Sequence, residues 1–283
     1  MSTIEELFQK GRRVLQSVAA EPSIEAKVIL LKSACLTEEQ FFAFPQKEVS
    51  RKEESAFFRL INSRLAGIPL AYLTREKEFW SLPLKILPGV FIPRPETELI
   101  VEKVLELSSK NEETMVDIGT GCGNIALALA RELPRARILA TDISARALNV
   151  ARFNTQNLGF GRIVFVRGNL FSALKGLHLE ENCDFIVSNP PYIPAGDWET
   201  LSREVRDHEP RTALVPGKTG FEFIRRLIKG ASSYLKPGGY LLFEIGQGQR
   251  HSALSLFDQR WTEIESFEDL RGIPRVVKAR KII

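Results

Sequence analysis

The tetrapeptide Asn189-Pro190-Pro191-Tyr192 follows an apolar run, Asp184-Phe185-Ile186-Val187-Ser188, that reads as a β-strand. Its residue types suit one task, which is to hold a planar nitrogen for alkylation. The lone pair of an amide or exocyclic amino nitrogen is delocalised, so that nitrogen is a poor nucleophile. Asn189 offers a side-chain carbonyl oxygen and Pro190 a backbone carbonyl, two acceptors for two N–H bonds. The prolines fix φ and keep the acceptors still. Preorganised dipoles of this kind stabilise charge that develops on nitrogen. Tyr192 adds a flat face for stacking and a π cloud for a nearby cation. Elsewhere such a tetrapeptide would be a loop initiator with a packed tyrosine. Its place at a strand end, downstream of a glycine-rich turn, favours the chemical reading.

That turn is Gly119-Thr120-Gly121-Cys122-Gly123, between the strand candidate Met115–Ile118 and a helix opening at Asn124. Glycines here let the backbone turn tightly and approach a ligand. Asp142 ends the next strand, where a carboxylate accepts from ribose hydroxyls. A dinucleotide fingerprint needs GxGxxG and a pyrophosphate on the helix N-terminus. The spacing here is GxGxG, with Asp117 two residues before it. A carboxylate beside the turn suits a cation, and S-adenosylmethionine carries a sulfonium and an ammonium. The plainer alternative is an ordinary βα turn with Asp142 as a helix cap.

These residues need a scaffold. After residue 96 the pattern alternates between helices and apolar strands: Met115–Ile118, Arg137–Thr141, Ile163–Val166, Phe185–Ser188, Tyr240–Ile245 and Arg275–Ala279. Helices are expected over Ser144–Leu158 and Gly220–Leu235. The alternation argues for a doubly wound α/β sheet, whose ligands sit beyond the carboxyl ends of the strands. Residues 1–72 read as four short helices, with capping-box spacing at Thr37/Gln40 and Ser50/Glu53. Residues 73–95 read as a linker hairpin, with extended stretches at 78–84 and 85–93. The domain boundaries are therefore 1–72, 73–95 and 96–283.

Composition narrows the class. The net charge of +4, on 39 basic and 35 acidic residues, does not demand a nucleic-acid partner. Three scattered cysteines offer neither a zinc site nor a disulfide framework, so no metal is expected. No apolar run is long enough to span a bilayer, and the first residues lack a signal-peptide pattern. A cytoplasmic monomer that binds neither nucleic acid nor membrane is expected.

At this level of detail the chain resembles the HemK/PrmC family, the methyltransferases of peptide chain release factors. The resemblance runs over nearly the whole chain. It rests on Phe91-Ile92-Pro93-Arg94-Pro95-Glu96-Thr97-Glu98, Asp117–Gly123 and Asn189–Tyr192. It rests further on Glu204–Arg211 with Ala213-Leu214, on Leu235–Tyr240 and Glu244-Ile245-Gly246, and on Arg275-Val276-Val277. It implies a seven-stranded Rossmann-like class I methyltransferase domain, preceded by a small all-α bundle that recognises the substrate and a β-hairpin linker. It implies N5-methylation of the glutamine in the Gly-Gly-Gln motif of class I release factors. By position, Asp117, Gly119, Thr120, Gly121, Cys122, Gly123, Asp142, Ile143 and Asn189 would bind S-adenosylmethionine, with Phe91, Pro93, Arg94 and Glu96 near it. Asn189, Pro190, Pro191 and Tyr192 would hold the target amide and carry catalysis.

One position departs from the family pattern. Asn169 stands before Leu170-Phe171, where the family often has Asp at its adenine contact; an amide there still bonds the adenine edge, with Leu170 beside it. Arg94 reads equally as an ion-pair partner within the linker, Glu204 as a solvated helix face, and His208 as structural rather than a base. A ribosomal-protein glutamine methyltransferase shares this catalytic motif and much of the chain. An adenine-N6 DNA methyltransferase shares the motif but needs a target-recognition domain, and residues 1–72 show none. A non-catalytic binder of release factors is disfavoured by the intact turn and tetrapeptide.

Overall fold

The computed structural model of the protein describes residues 2–282. It comprises two compact units. One is the chain up to Glu76 together with Ser202–His208; the other is Lys77–Leu201 with the chain from Glu209 onward.

The first unit is helical: α1 (Ile4–Leu15), α2 (Pro22–Ala34), α3 (Glu38–Ala43), α4 (Arg51–Leu65) and α5 (Leu70–Thr74). Capping boxes at Thr3/Glu6, Thr37/Gln40 and Ser50/Glu53 start α1, α3 and α4. Ile4, Leu7, Leu15, Ile29, Leu30, Phe57 and Ile61 form its core. Among the described residues before Glu76 there are five helices rather than the expected four. Pro69 not only ends α4's continuation but opens α5, since its fixed φ suits a helix start. Residues 202–208, expected in the second domain, pack with these helices because Arg64 holds them. Arg64 is 4% exposed. It donates to Glu25 Oε2 at 2.6 Å and Oε1 at 3.1 Å, and to Glu204 Oε2 at 2.9 Å. Glu204 is thus an ion-pair partner, not the solvated face read from sequence.

The second unit begins with the hairpin β1 (Glu76–Phe79) and β2 (Leu82–Lys85). The extended stretches expected at 78–84 and 85–93 are displaced accordingly. The turn falls at Trp80-Ser81, both with φ of 52°, the left-handed geometry of two-residue hairpin turns. Glu98 Oε1 accepts from Trp80 N at 2.6 Å and Arg131 donates to Trp80 O at 2.9 Å, which offsets the strain.

The main elements follow as α6 (Glu98–Leu107), β3 (Thr114–Ile118), α7 (Asn124–Glu132), β4 (Arg137–Asp142), α8 (Ala145–Leu158), β5 (Ile163–Arg167) and β6 (Cys183–Ser188). Then come α9 (Arg203–His208, packed with the helical unit), α10 (Glu222–Tyr234), β7 (Leu235–Glu244), α11 (Arg250–Leu254), β8 (Trp261–Glu268) and β9 (Pro274–Lys281). The seven-stranded sheet has the order β5-β4-β3-β6-β7-β9-β8. It is parallel except for β9, which runs antiparallel to both neighbours. β8 is the strand the sequence pattern did not show. Ile224, Leu227, Ile228 and Ala231 of α10 pack on Val116, Ile186, Leu241 and Phe243 of the sheet. The chain order reverses between β3 and β6, and their paired carboxyl ends open the crevice where such sheets bind ligands.

Candidate active site

β3 ends in the glycine turn. Gly119, Gly121 and Gly123 have φ of 78°, 57° and 89°, conformations that cost other residues energy. The turn is pinned to β4, because Gly119 N and Thr120 N donate to Thr141 O at 2.8 and 2.9 Å. Asp142 finishes the clasp. Its Oδ2 accepts from Gly121 N at 2.9 Å and its Oδ1 from Ser144 N at 2.8 Å. Burial pushes this carboxyl above its usual range, more than the N–H groups of Ser144, Gly121 and Ile143 lower it. Each oxygen keeps a lone pair for a further donor, and the residue lines a pocket at the strand ends.

Gly119, Thr120 and Gly121 line that pocket, with Ile143, Asn169 and Leu170. Phe91, Asn189 and Pro191 also line it. Pro93, Arg94, Glu96, Asp117, Cys122, Gly123, Pro190 and Tyr192 do not line it. Arg94 pairs with the buried carboxylate of Glu209, which also accepts from Ile92 N at 3.1 Å. The Arg94 guanidinium lies 4.9 Å from the Phe91 ring centre. The Pro-Arg-Pro-Glu segment therefore braces Glu209, next to Pro210, Thr212 and Ala213 of the pocket wall. The Cys122 thiol is buried beside Asn124, and burial pushes its pKa up to about 12, so it stays a neutral packing group.

Asp117 is 1% exposed and lies behind the turn rather than in the pocket. Its Oδ2 accepts from Thr120 Oγ1 at 2.6 Å, while Oδ1 has no hydrogen-bond partner among the described residues. Burial pushes this carboxyl up to about 7; the Thr120 hydroxyl and, less, Ala126 N–H lower it, and Asp142 raises it.

The tetrapeptide is organised from beneath. Ser188 Oγ donates to Ile118 O at 2.7 Å, tying the ends of β6 and β3. Asn189 Nδ2 donates to Thr97 Oγ1 at 2.9 Å, and Thr97 Oγ1 donates to Glu244 Oε2 at 2.6 Å. Tyr192 OH donates to Glu244 Oε1 at 3.0 Å. Gln249 Nε2 donates to Tyr192 O at 2.8 Å. Sequence reasoning gave Thr97, Glu244 and Gln249 no role. The available signal was a carboxylate, Glu244, at the end of an otherwise apolar strand. Asn124, Pro210, Thr212, Ala213 and Phe223 are further pocket residues it did not assign.

The lining suits the cofactor read from sequence. It contains the carboxylate of Asp142 and the carboxamides of Asn124, Asn169 and Asn189, with no lysine or arginine. Acceptors for ribose hydroxyls are present and counterions for a pyrophosphate are not. Asn169 Oδ1 accepts from Arg226 Nη2 at 3.3 Å. Because a guanidinium has no acceptor, the Asn169 amide group is left free.

The chain matches two family models, the PrmC N-terminal domain over residues 6–74 and the methyltransferase small domain over residues 83–204. A methyltransferase of Pyrococcus furiosus shares the fold, with a TM-score of 0.55 at 19% identity over 78% of this chain and 98% of that one. The release factor glutamine methyltransferase of Moorella thermoacetica is 42% identical over 258 residues, 90% of this chain and 89% of its own. That of Koribacter versatilis is 35% identical over 99% of both chains. That of Coxiella burnetii is 36% identical over 99% of this chain and all of its own. Sheet order, glycine turn and pocket define an S-adenosylmethionine-dependent methyltransferase of class I. More narrowly, the chain belongs to the release factor glutamine methyltransferase family.

Proposed function

We propose that this chain methylates the side-chain amide nitrogen (N5) of the glutamine in the Gly-Gly-Gln motif of a class I release factor. The supporting observation is the orientation of Asn189. Its NH₂ is spent on Thr97, so its carbonyl oxygen is left to accept from an N–H in the pocket. Bound S-adenosylmethionine supplies an electrophilic methyl group, with Asp142 as acceptor for its ribose and Ile143, Asn169 and Leu170 around its adenine. Asn189, with the Pro190 carbonyl, holds the glutamine nitrogen in line with that methyl. Such positioning supplies much of the rate. The cofactor would supply its methyl to the nitrogen lone pair and would leave as the neutral thioether, keeping the S–C electron pair on sulfur. The nitrogen then becomes acidic and its proton leaves to water, so no side-chain base is needed and His208 stays structural. In this reading the helical part, residues 1–72, docks the factor, residues 73–95 link, residues 96–283 carry the chemistry, and the chain works as a cytoplasmic monomer.

The test is to incubate the protein with labelled S-adenosylmethionine and a release factor, with ribosomal proteins in a parallel sample, and map the methyl group by peptide mass spectrometry. Label on the Gly-Gly-Gln glutamine is the expected result. Label confined to a ribosomal protein would transfer the assignment to the alternative substrate.

A further inference from the structure

We infer that Glu244 is a positioning residue for methyl transfer, acting through Thr97 to fix which end of the Asn189 carboxamide faces the substrate. This rests on the function proposed above and adds a component to it. Glu244 is 1% exposed and ends β7. Among the described residues it has no cation within ion-pair distance, and burial pushes its carboxyl above the usual range, against the hydroxyls of Thr97 and Tyr192 and the charge of Arg275, which lower it, and with Glu96, which raises it. Burying a carboxylate without an ion pair is expensive, and packing alone would be served by an apolar or amide side chain. The geometry favours the ionised form all the same, because two hydroxyls, Thr97 Oγ1 and Tyr192 OH, each donate to one of its oxygens.

The hydrogen-bond directions give that charge a purpose. An ionised carboxylate only accepts. Thr97 Oγ1 must then spend its single proton on Glu244, at 2.6 Å. Toward Asn189 it can only accept, which draws the NH₂ end to it at 2.9 Å. The carbonyl end is thereby left for the substrate. The same carboxylate takes the Tyr192 hydroxyl on its other oxygen. Behind Tyr192, Gly220 has φ of 83°, and a Cβ there would lie 2.4 Å from Tyr192 O. The loop is thus held from its hydroxyl end and its backbone end together.

If residue 244 could donate, the chain of bonds would reverse. Thr97 would accept from it and donate to Asn189 Oδ1, and the amide would present its NH₂ to the N–H groups of the substrate. Glu244→Gln keeps the volume and puts an NH₂ against Thr97 Oγ1 or Tyr192 OH, so one of the two bonds to residue 244 must reverse and the relay is disturbed. Neither Glu244 nor Thr97 lines the cofactor pocket.

The experiment compares wild type with Glu244→Gln, Thr97→Val and Thr97→Ser, each checked by thermal melting. Expected are kcat losses of about 100-fold for Glu244→Gln and Thr97→Val. Thr97→Ser should retain activity, and binding of S-adenosylhomocysteine by calorimetry should stay within about threefold. In ¹⁵N-labelled protein without release factor, the Asn189 carboxamide signal, assigned by its loss in Asn189→Ala, should move in Glu244→Gln. An unmoved signal, or turnover of Glu244→Gln near wild type, overturns the inference. If wild type itself failed to methylate a release factor, the proposed function would fall, while the carboxamide signal would still decide the relay.

Discussion

Replacing Asp142 tests the cofactor site. Its oxygens accept from Gly121 N at 2.9 Å and Ser144 N at 2.8 Å, which leaves one free lone pair on each for the ribose. A hydrogen bond to a charged group contributes about 1.5–3 kcal/mol. Asp142→Ala removes both ribose acceptors and releases both backbone donors. Water reaching the opened space recovers part of the loss, leaving about 3 kcal/mol, or roughly a 150-fold weaker Kd. Asp142→Asn should do no better. Its NH₂ must face one of the two backbone N–H donors, and the turn shifts to relieve that clash. Calorimetry with S-adenosylhomocysteine gives the Kd directly, and thermal melting without ligand confirms that the variants fold. If both variants bound within about threefold of wild type, Asp142 would serve only to tie Gly121 to Ser144, the N-cap of α8, and the ribose would have to be held elsewhere.

Asn189→Ala should lower kcat by about 100- to 1000-fold, the cost of losing a preorganised acceptor, while S-adenosylhomocysteine binding stays measurable by calorimetry. Asp117 sets a pH dependence of folding. Its folded pKa is raised to about 7, above its unfolded value, so the folded chain binds the extra proton between about pH 4 and 7. This group's contribution to stability is therefore present at low pH and lost as pH rises to about 7. Urea unfolding across that range should show the decline, and Asp117→Asn should flatten it. Arg64→Leu leaves the mostly buried Glu25 carboxylate without its partner. A loss of about 3–5 kcal/mol is expected from urea melts, with faster proteolysis at Ser202–His208.

The legible parts were those carried by neighbouring residues. β3, the glycine turn and β6 could be read because an apolar run and its turn lie side by side in the chain. The family segments drew attention to Thr97 and Glu244 without saying what they do. That role depends on contacts between residues 92 and 147 positions apart, which no local pattern encodes. β8 was obscured for a different reason. It is an edge strand carrying Glu263, Glu265 and Glu268, and two of these meet the buried Lys278. Charges of this kind protect an edge from aggregation but break the apolar signature of a strand. The hairpin was misplaced because its turn uses Trp80 and Ser81, residues that do not advertise a positive φ. Arg94 was correctly suspected of an ion pair, but its partner, Glu209, lies 115 positions away.

The cation-free lining of the pocket has a consequence for competition among ligands. Many small molecules carry adenosine, and most carry phosphates on it. An adenosine site that relied on shape and ribose contacts alone would admit them too. Here the carboxylate of Asp142 meets no lysine or arginine in the pocket wall, so a polyanion entering by its adenosine end would meet like charge and no compensation. Rejection by repulsion is as much a part of selectivity as attraction. The same adenosine on a sulfonium arrives with the opposite sign. The pocket thus sorts adenosine compounds by the charge they carry at the 5′ end.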